Sequence, residues 1–522
     1  MDRRQFLIST GAVSLAGAAT EFAAAAPTLA ADVDYDPTER SFAELAAAMR
    51  SGRTTSAGLT AAYLARIALF DANGPRHRAV LSLDPGALAA ARRLDAERAA
   101  GHVRGPLHGL PILIKDNVET RGPLPTTAGS LALAHSRRPA DAPLVARLRA
   151  AGAVVLGKTN LSEWANFRST HSSSGWSGLG GQTGNAYDPS RNPSGSSAGS
   201  AVAAAASFCA GAIGTETNGS ILSPSSLNGL VGLKPTVGLV SGRGIVPISH
   251  RQDTAGPMCR TVADAAALAA AMAGRPLGYG AYGTDLEGFR LRGVHLGAMP
   301  VPKSAHPKTA DLYRTARAAL RGEGAVIADL TPPKALEETD EAEFEALLYE
   351  FKEAIAAYLA TLDPHQVPSR NLADLIAFNR AHANEELVVF DQDIFEMAEE
   401  RGPLSDPKYR NALATLERGA DREGLAALFA TGRADVLIAP SNGPADRIDE
   451  VWGDREGGGW PSIASAAAIA GYPSLTVPAG RVCGLPVGLT LVGRRNQDGL
   501  LLQVAHAFER ATRARVAPQL VG

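Results

Sequence analysis

Arg191-Asn192-Pro193-Ser194-Gly195-Ser196-Ser197-Ala198-Gly199-Ser200 opens an Ala-rich run that ends at Cys209, and Gly214-Thr215-Glu216-Thr217-Asn218-Gly219-Ser220-Ile221 follows it closely. The run from Ala198 to Ala206 carries only small side chains. As a helix it would be buried and closely approached on most sides. Its N-terminus would then present free amides and partial positive charge near Ser196. Gly195-Ser196-Ser197-Ala198-Gly199 formally matches Gly-x-Ser-x-Gly, the nucleophile elbow, with Ser197 at its centre. That elbow needs a hydrophobic strand immediately before it, whereas Tyr187-Asp188-Pro189-Ser190-Arg191-Asn192-Pro193 is a series of turn formers. A Gly/Ser loop without chemistry is the other reading of these residues on their own.

Outward from this stretch, Gly109-Leu110-Pro111-Ile112-Leu113-Ile114-Lys115 and Ala153-Val154-Val155-Leu156-Gly157 are short apolar runs bounded by Gly, which read as buried strands. A helix is predicted over 142–151, and further strands over 293–298, 325–330, 435–439 and 486–492. The alternation predicts an α/β fold, with one large mixed sheet sandwiched between helices. From Ser41 to Ala100 the spacing is helical, with Ser41 and Ser56 as N-caps and a short strand at 79–83. Residues 336–430 read as charged amphipathic helix inserted between strands, with Leu347, Leu348, Phe351, Ile355, Leu372, Leu375, Ile376 and Phe378 as its apolar positions. A stripe at helical spacing predicts packing, with a substrate-facing cap as the alternative. No Pro/Ser linker or charge run divides the chain, so residues 32–522 are expected to form one large domain.

The 51 Lys and Arg nearly balance the 53 Asp and Glu, so there is no long-range field to hold a polyanion. Nucleic acid is excluded as an expected partner. Three cysteines, Cys209, Cys259 and Cys483, form no CxxC pair and no disulfide framework, although one bridge is open. The eleven histidines include no HExxH or His-x-His, so neither a metal nor another cofactor is expected.

Asp2-Arg3-Arg4-Gln5-Phe6-Leu7, the apolar stretch Ile8 to Ala19 and the run Phe22-Ala23-Ala24-Ala25-Ala26 make a leader over residues 1–31. Its paired arginines predict twin-arginine export to the periplasm or medium. Its apolar core is too short for a stable span, and no later run reaches about 18 apolar residues, so no membrane partner is expected once the leader is removed.

Taken together, Gly195 to Ser200, Thr215 to Ile221 and Gly229-Leu230-Val231-Gly232-Leu233-Lys234-Pro235-Thr236 resemble the amidase signature family in order and spacing. Further matching blocks include Gly109 to Asp116, Gly157 to Trp164 and Gly471-Tyr472-Pro473-Ser474-Leu475-Thr476-Val477-Pro478. The resemblance implies Ser220 as nucleophile, Ser196 as bridging serine behind a cis Gly195-Ser196 peptide, and Lys115 as terminal base. It also implies an oxyanion hole from the backbone of Thr217, Asn218, Gly219 and Ser220. A free lysine with pKa about 10.4 is neutral in only about one molecule in 2,500 at pH 7, so such a base must be buried. A buried lysine paired with Asp116 or another carboxylate is the structural alternative.

Within the family the chain resembles bacterial peptide amidases, in Ser162 to Arg168, Gly214 to Thr217, Gln252 to Met258 and Leu372 to Asn379. This implies removal of the C-terminal amide of short peptides, with small aliphatic or aryl amides as the alternative substrates. A catalytically inactive binding protein is the alternative role, and the complete Lys115, Ser196 and Ser220 set argues against it. Ser172, Ser173 and Trp176 are candidate substrate contacts, with Trp164 beside them, and a monomer is expected. Leu222 stands where typical members carry arginine, which shifts the expected substrate towards a neutral amide, and Ser194 and Ala198 replace common glycines.

Overall fold

The computed structural model describes residues 35–274, 286–454 and 459–520, so the leader lies outside the described residues. Thirteen strands run in chain order: β1 Val80–Leu83, β2 Pro111–Lys115, β3 Val154–Thr159, β4 Trp176–Ser177, β5 Gly181–Gln182, β6 Gly211–Glu216, β7 Val231–Lys234, β8 Thr254–Cys259, β9 His295–Ala298, β10 Val326–Asp329, β11 Val436–Pro440, β12 Ser474–Val482 and β13 Leu485–Gly493. Eleven form one sheet in the order β1-β3-β2-β6-β8-β7-β12-β13-β11-β9-β10, and β4 and β5 make a separate small ladder. The sheet is mixed: β3, β2 and β6 run parallel, the centre from β6 to β11 is antiparallel, and β11, β9 and β10 are parallel again.

Parallel pairing of β2 with β6 places Ile114 opposite Ile213, so Lys115 and the segment after Glu216 emerge at the same carboxyl end of the sheet. Crevices outside the carboxyl ends of strands are where open α/β sheets bind ligands. The helix Ala198–Ala205 is buried at every position and packs on β2, β6 and β8. Its small residues allow this approach, and it begins directly after Ser196 and Ser197.

Local signals are largely realised. Ser41 caps Phe42–Arg50 with a full capping box to Glu44. The cap of the next helix is Thr55, whose side chain accepts the Gly58 amide. Ser56, the expected cap, instead donates to the Gly109 carbonyl at 2.9 Å, tying this helix to the entry of β2.

The inserted block is helical, led by the 21-residue helix Thr339–Leu359. Leu348, Phe351 and Ile355 pack in an apolar cluster with Trp164, Phe167 and Phe395. A buried Arg168 fastens the block from the other side: it pairs with Glu163 and Glu386 and donates to the Phe390 carbonyl at 3.1 Å. Among the described residues, no helix is long and apolar enough to cross a membrane. The three cysteines are free, with Cys209 and Cys259 buried.

Gly199 tests how tightly the site helix is held. A Cβ there would lie 2.3 Å from the Ala79 carbonyl oxygen and 2.5 Å from that of Asn160, both main-chain atoms that cannot rotate away. Alanine is intrinsically better than glycine in a helix by about 0.5–1 kcal/mol. Overpacking costs about 1–3 kcal/mol and opposes it. Because main chain must move, the clash should win, and Gly199→Ala should lower the urea midpoint of unfolding. An unchanged or raised midpoint would show that the helix is not confined as described.

Candidate active site

Lys115 ends β2 fully buried, with its Nζ 2.7 Å from Ser196 Oγ, 2.9 Å from Thr215 Oγ1 and 3.3 Å from the Thr215 carbonyl. Burial pulls its pKa down to about 7, against the opposing pull of Asp253 and Glu216. The carboxylate beside it in sequence is used elsewhere: Asp116 pairs with Lys158 at 3.0 Å and accepts from the Thr127 amide and hydroxyl. The paired-lysine alternative is therefore set aside, since Lys115 has no ion pair among the described residues.

Ser196 is buried, follows a cis Gly195-Ser196 peptide and accepts the Ser162 amide on its carbonyl at 3.0 Å. Ser197 is excluded as an elbow nucleophile. Its hydroxyl donates to the Thr215 carbonyl at 3.0 Å and accepts the Thr215 amide at 3.2 Å, so both its roles are taken by the main chain of β6. Ser220 follows β6 and is 8% exposed. Its carbonyl accepts the Ser197 amide at 3.2 Å, which brings the chain at Ser220 against the chain carrying Ser196.

The turn between β6 and Ser220 is anchored at each residue. Thr217 donates its hydroxyl to Asp253 at 2.6 Å, and Asp253 also accepts the amides of Ile248 and Ser249. Asn218 donates its side-chain amide to Glu343 at 2.8 Å. The Gly219 carbonyl accepts the Ser223 amide at 2.8 Å. Glu216 accepts the amides of Ile221 and Leu222 at 2.7 and 3.1 Å, fixing the far end. Gly219 adopts φ +83°, and a Cβ there would meet the Trp460 ring at 3.2 Å, so both conformation and space favour glycine.

A cavity of about 960 Å³ opens over this turn, lined by Gly195, Asn218 and Gly219 on the site side. Glu343, Phe344 and Leu347 of the inserted helix form another part of its wall, and Trp460 a third. The inserted block therefore both packs and faces the cavity. A second cavity of about 10 Å³ touches Ser196, Asn117, Thr215 and Asp253.

The candidate substrate contacts fall differently. Trp176 is buried, edge-on to Phe390 at 5.0 Å and under the Arg168 guanidinium, and so belongs to the packing rather than the cavity lining. Trp164 is likewise buried, against Phe395 at 5.6 Å. Ser173 is buried and donates to Gln182 at 2.9 Å. Ser172 donates to Asn166, a cavity residue, and its carbonyl accepts the Asp454 amide, so it holds the wall without lining it. Leu222 is fully buried in the apolar core, which removes the argument that its replacement of arginine tunes substrate charge. Ser194 takes a glycine-like φ of 60°, with its hydroxyl 2.6 Å from that of Ser223.

Thr215, Asp253, Gln252 and Glu343 join the site without a catalytic motif of their own in the sequence. Asp253 and Gln252 lie in the stretch Gln252 to Met258, whose resemblance to peptide amidases is the signal that marks them. Glu343 has no local motif. Among the described residues, no group of three His, Cys, Asp or Glu side chains gathers as a metal site.

The Amidase family profile matches residues 58–502. The crystal structure of native peptide amidase from Stenotrophomonas maltophilia is 48% identical, with a TM-score of 0.86 over 93% of this chain and 99% of that one. A peptide amidase in complex with the competitive inhibitor chymostatin is 49% identical, with a TM-score of 0.86 over 92% of this chain and 99% of that one. A probable amidase of Arabidopsis thaliana is 39% identical over 506 residues, covering 92% of each chain. Match of the profile over residues 58–502, and of the fold over 93% of the chain, establishes that the chain belongs to the amidase family.

Proposed function

We propose that the protein is a serine amidohydrolase that releases ammonia from the C-terminal amide of short peptides through an acyl-enzyme on Ser220. The observation that carries this reading is Lys115: a buried lysine with no carboxylate at ion-pair distance among the described residues, and with Nζ 2.7 Å from a serine hydroxyl. An isolated serine is a weak nucleophile and needs a base, and a lysine brought down to about 7 is one at neutral pH.

The proposed steps are supported by the Lys115–Ser196 contact and by the Ser197 amide bonded to the Ser220 carbonyl. Neutral Lys115 takes the Ser196 proton as Ser196 takes that of Ser220, and Ser220 Oγ forms its bond to the carboxamide carbon. The oxygen that gains charge is held by backbone amides of the Thr217 to Ser220 turn. The proton returns through Ser196 to the nitrogen, the C–N bond breaks and ammonia leaves. Water repeats the sequence on the ester, giving the carboxylate and restoring Ser220.

Substrate class is supported by the cavity of about 960 Å³, which has room for a short peptide, and by similarity to peptide amidases at 48–49% identity. Wild type should release ammonia from an amidated dipeptide more efficiently than from acetamide or benzamide, and Ser220→Ala should release none. A preference for the small amides would replace the peptide reading. Labelling of Ser220→Ala by a serine-directed irreversible reagent as fully as wild type would remove the nucleophile assignment.

Lys115 must be neutral to act, so kcat/KM should rise with pH and level off, with a midpoint near 7. Lys115→Ala should lose roughly 10²–10⁴ in kcat while remaining folded. A rate flat between about pH 5.5 and 8.5, or retained turnover in the variant, would count against the relay.

The leader supports export by the twin-arginine route. Cell fractionation of the full-length protein should find activity outside the cytoplasm, and changing Arg3 and Arg4 to Lys should retain it inside. Cytoplasmic wild-type protein would refute export.

A further inference from the structure

Glu343 has no part in the proton relay, yet it reaches the turn that precedes the nucleophile from a region remote in sequence. It sits in the first part of the inserted helix Thr339–Leu359 and is buried to 7% exposure. Its Oε2 accepts the Asn218 side-chain amide at 2.8 Å, and its Oε1 accepts that of Gln252 at 2.6 Å. Gln252 in turn approaches the Thr217 carbonyl at 3.4 Å. The carboxyl group therefore grips two successive residues of the turn, Asn218 directly and Thr217 through Gln252.

We propose that Glu343 is the positioning residue of the oxyanion turn, fixing through Asn218 and Gln252 the direction of the backbone amides that meet the developing oxyanion. This rests on the Ser220 mechanism proposed above. Each carboxyl oxygen accepts one protein amide, which gives the group a holding role at the turn although Glu343 also borders the cavity. Burial pushes its pKa up to about 7, and the two amide bonds oppose that shift. The neighbouring Phe344 and Leu347 line the cavity, so the element that fixes the turn also meets whatever fills the cavity. Donors aimed at an oxyanion are effective only when their direction is set before the reaction. A displacement of about 1 Å can cost 10²-fold in rate.

The test is steady-state ammonia release from an amidated dipeptide by wild type, Glu343→Ala, Glu343→Gln, Asn218→Ala and the double variant Asn218→Ala/Glu343→Ala, with circular dichroism to follow folding. Glu343→Ala should lower kcat by about 10–100-fold with KM within about threefold. Glu343→Gln keeps one acceptor oxygen and should fall between wild type and alanine. The double variant should be no slower than Glu343→Ala, since that variant already removes the Asn218 contact. An unchanged kcat, a loss confined to KM, or losses that multiply in the double variant would each overturn the assignment. If Glu343→Ala does not fold, Glu343→Gln and Asn218→Ala decide: equal kcat to wild type in both refutes it, and a kcat loss in both at near-constant KM supports it. Absence of ammonia release by wild type would overturn the mechanism and this inference together, whereas active wild type with indifferent variants overturns only the inference.

Discussion

Desolvation of Lys115 is the constraint from which the site is built, and two other lysines show what is particular about it. Lys115, Lys158 and Lys234 are all fully buried. A buried ammonium needs partners that stabilise charge, or it gives up its proton. Lys158 has Asp116 at 3.0 Å, and Lys234 donates to the carbonyls of Pro235 and Tyr472. A carboxylate or carbonyl only accepts, so it favours the charged amine. Lys115 has no carboxylate at ion-pair distance among the described residues; besides the Thr215 carbonyl at 3.3 Å it meets two hydroxyls, from Ser196 and Thr215, which can donate as well as accept and so also serve a neutral amine. Asp116, the next residue in sequence, pairs with Lys158 instead.

Holding hydroxyls at that distance requires three separate chain segments to converge. Parallel β2 and β6 bring Lys115 and Thr215 to one end of the sheet, and the small-residue helix Ala198–Ala205 packs closely enough on both to deliver Ser196. The turn that ends at Ser220 is then fastened outward to Asp253, to Glu343 and to its own following helix. No single element fixes the turn, which explains why it can be both glycine-containing and ordered.

Legibility in the sequence followed local chemistry. β2, β3, β9, β11 and β13 are readable because short apolar runs flanked by turn formers mark buried strands, whereas the expected strand β10 forms at the sheet edge with Val326 and Asp329 exposed. The strands β6, β7, β8 and β12 were recognised as motif blocks but not as strands. β6 and β8 contain Gly214 and Gly256, and Pro257 and Pro478 interrupt β8 and β12, residues that weaken or forbid the ordinary strand signal. Burial from both faces replaces β-propensity there. Ser56 looked like a cap because its hydroxyl chemistry suits one; Thr55, one residue earlier, holds that place and frees Ser56 for the Gly109 carbonyl. Trp176 looked like a pocket residue by type, but only tertiary packing could reveal Arg168 and Phe390 around it. Glu343 was illegible since it lies 125 residues from Asn218 and no spacing rule connects them.

The departures from the family pattern gain a different meaning from their surroundings. Leu222 is enclosed in core, and Ala198 is buried at the start of the site helix. Ser194 lines the cavity, but its hydroxyl is committed to Ser223, which also receives the Asn442 amide. These positions adjust packing under the site more than they present new groups to substrate. The cavity wall beyond the reacting atoms comes instead from Phe344 and Leu347 of the insertion and from the Asn442 to Trp460 segment, both distant from the serine-rich stretch. Under the proposed mechanism, chemistry and selectivity fall to different parts of the chain: the proposed relay sits on the sheet, while the cavity wall that would meet an amide comes from helix and loop residues outside it.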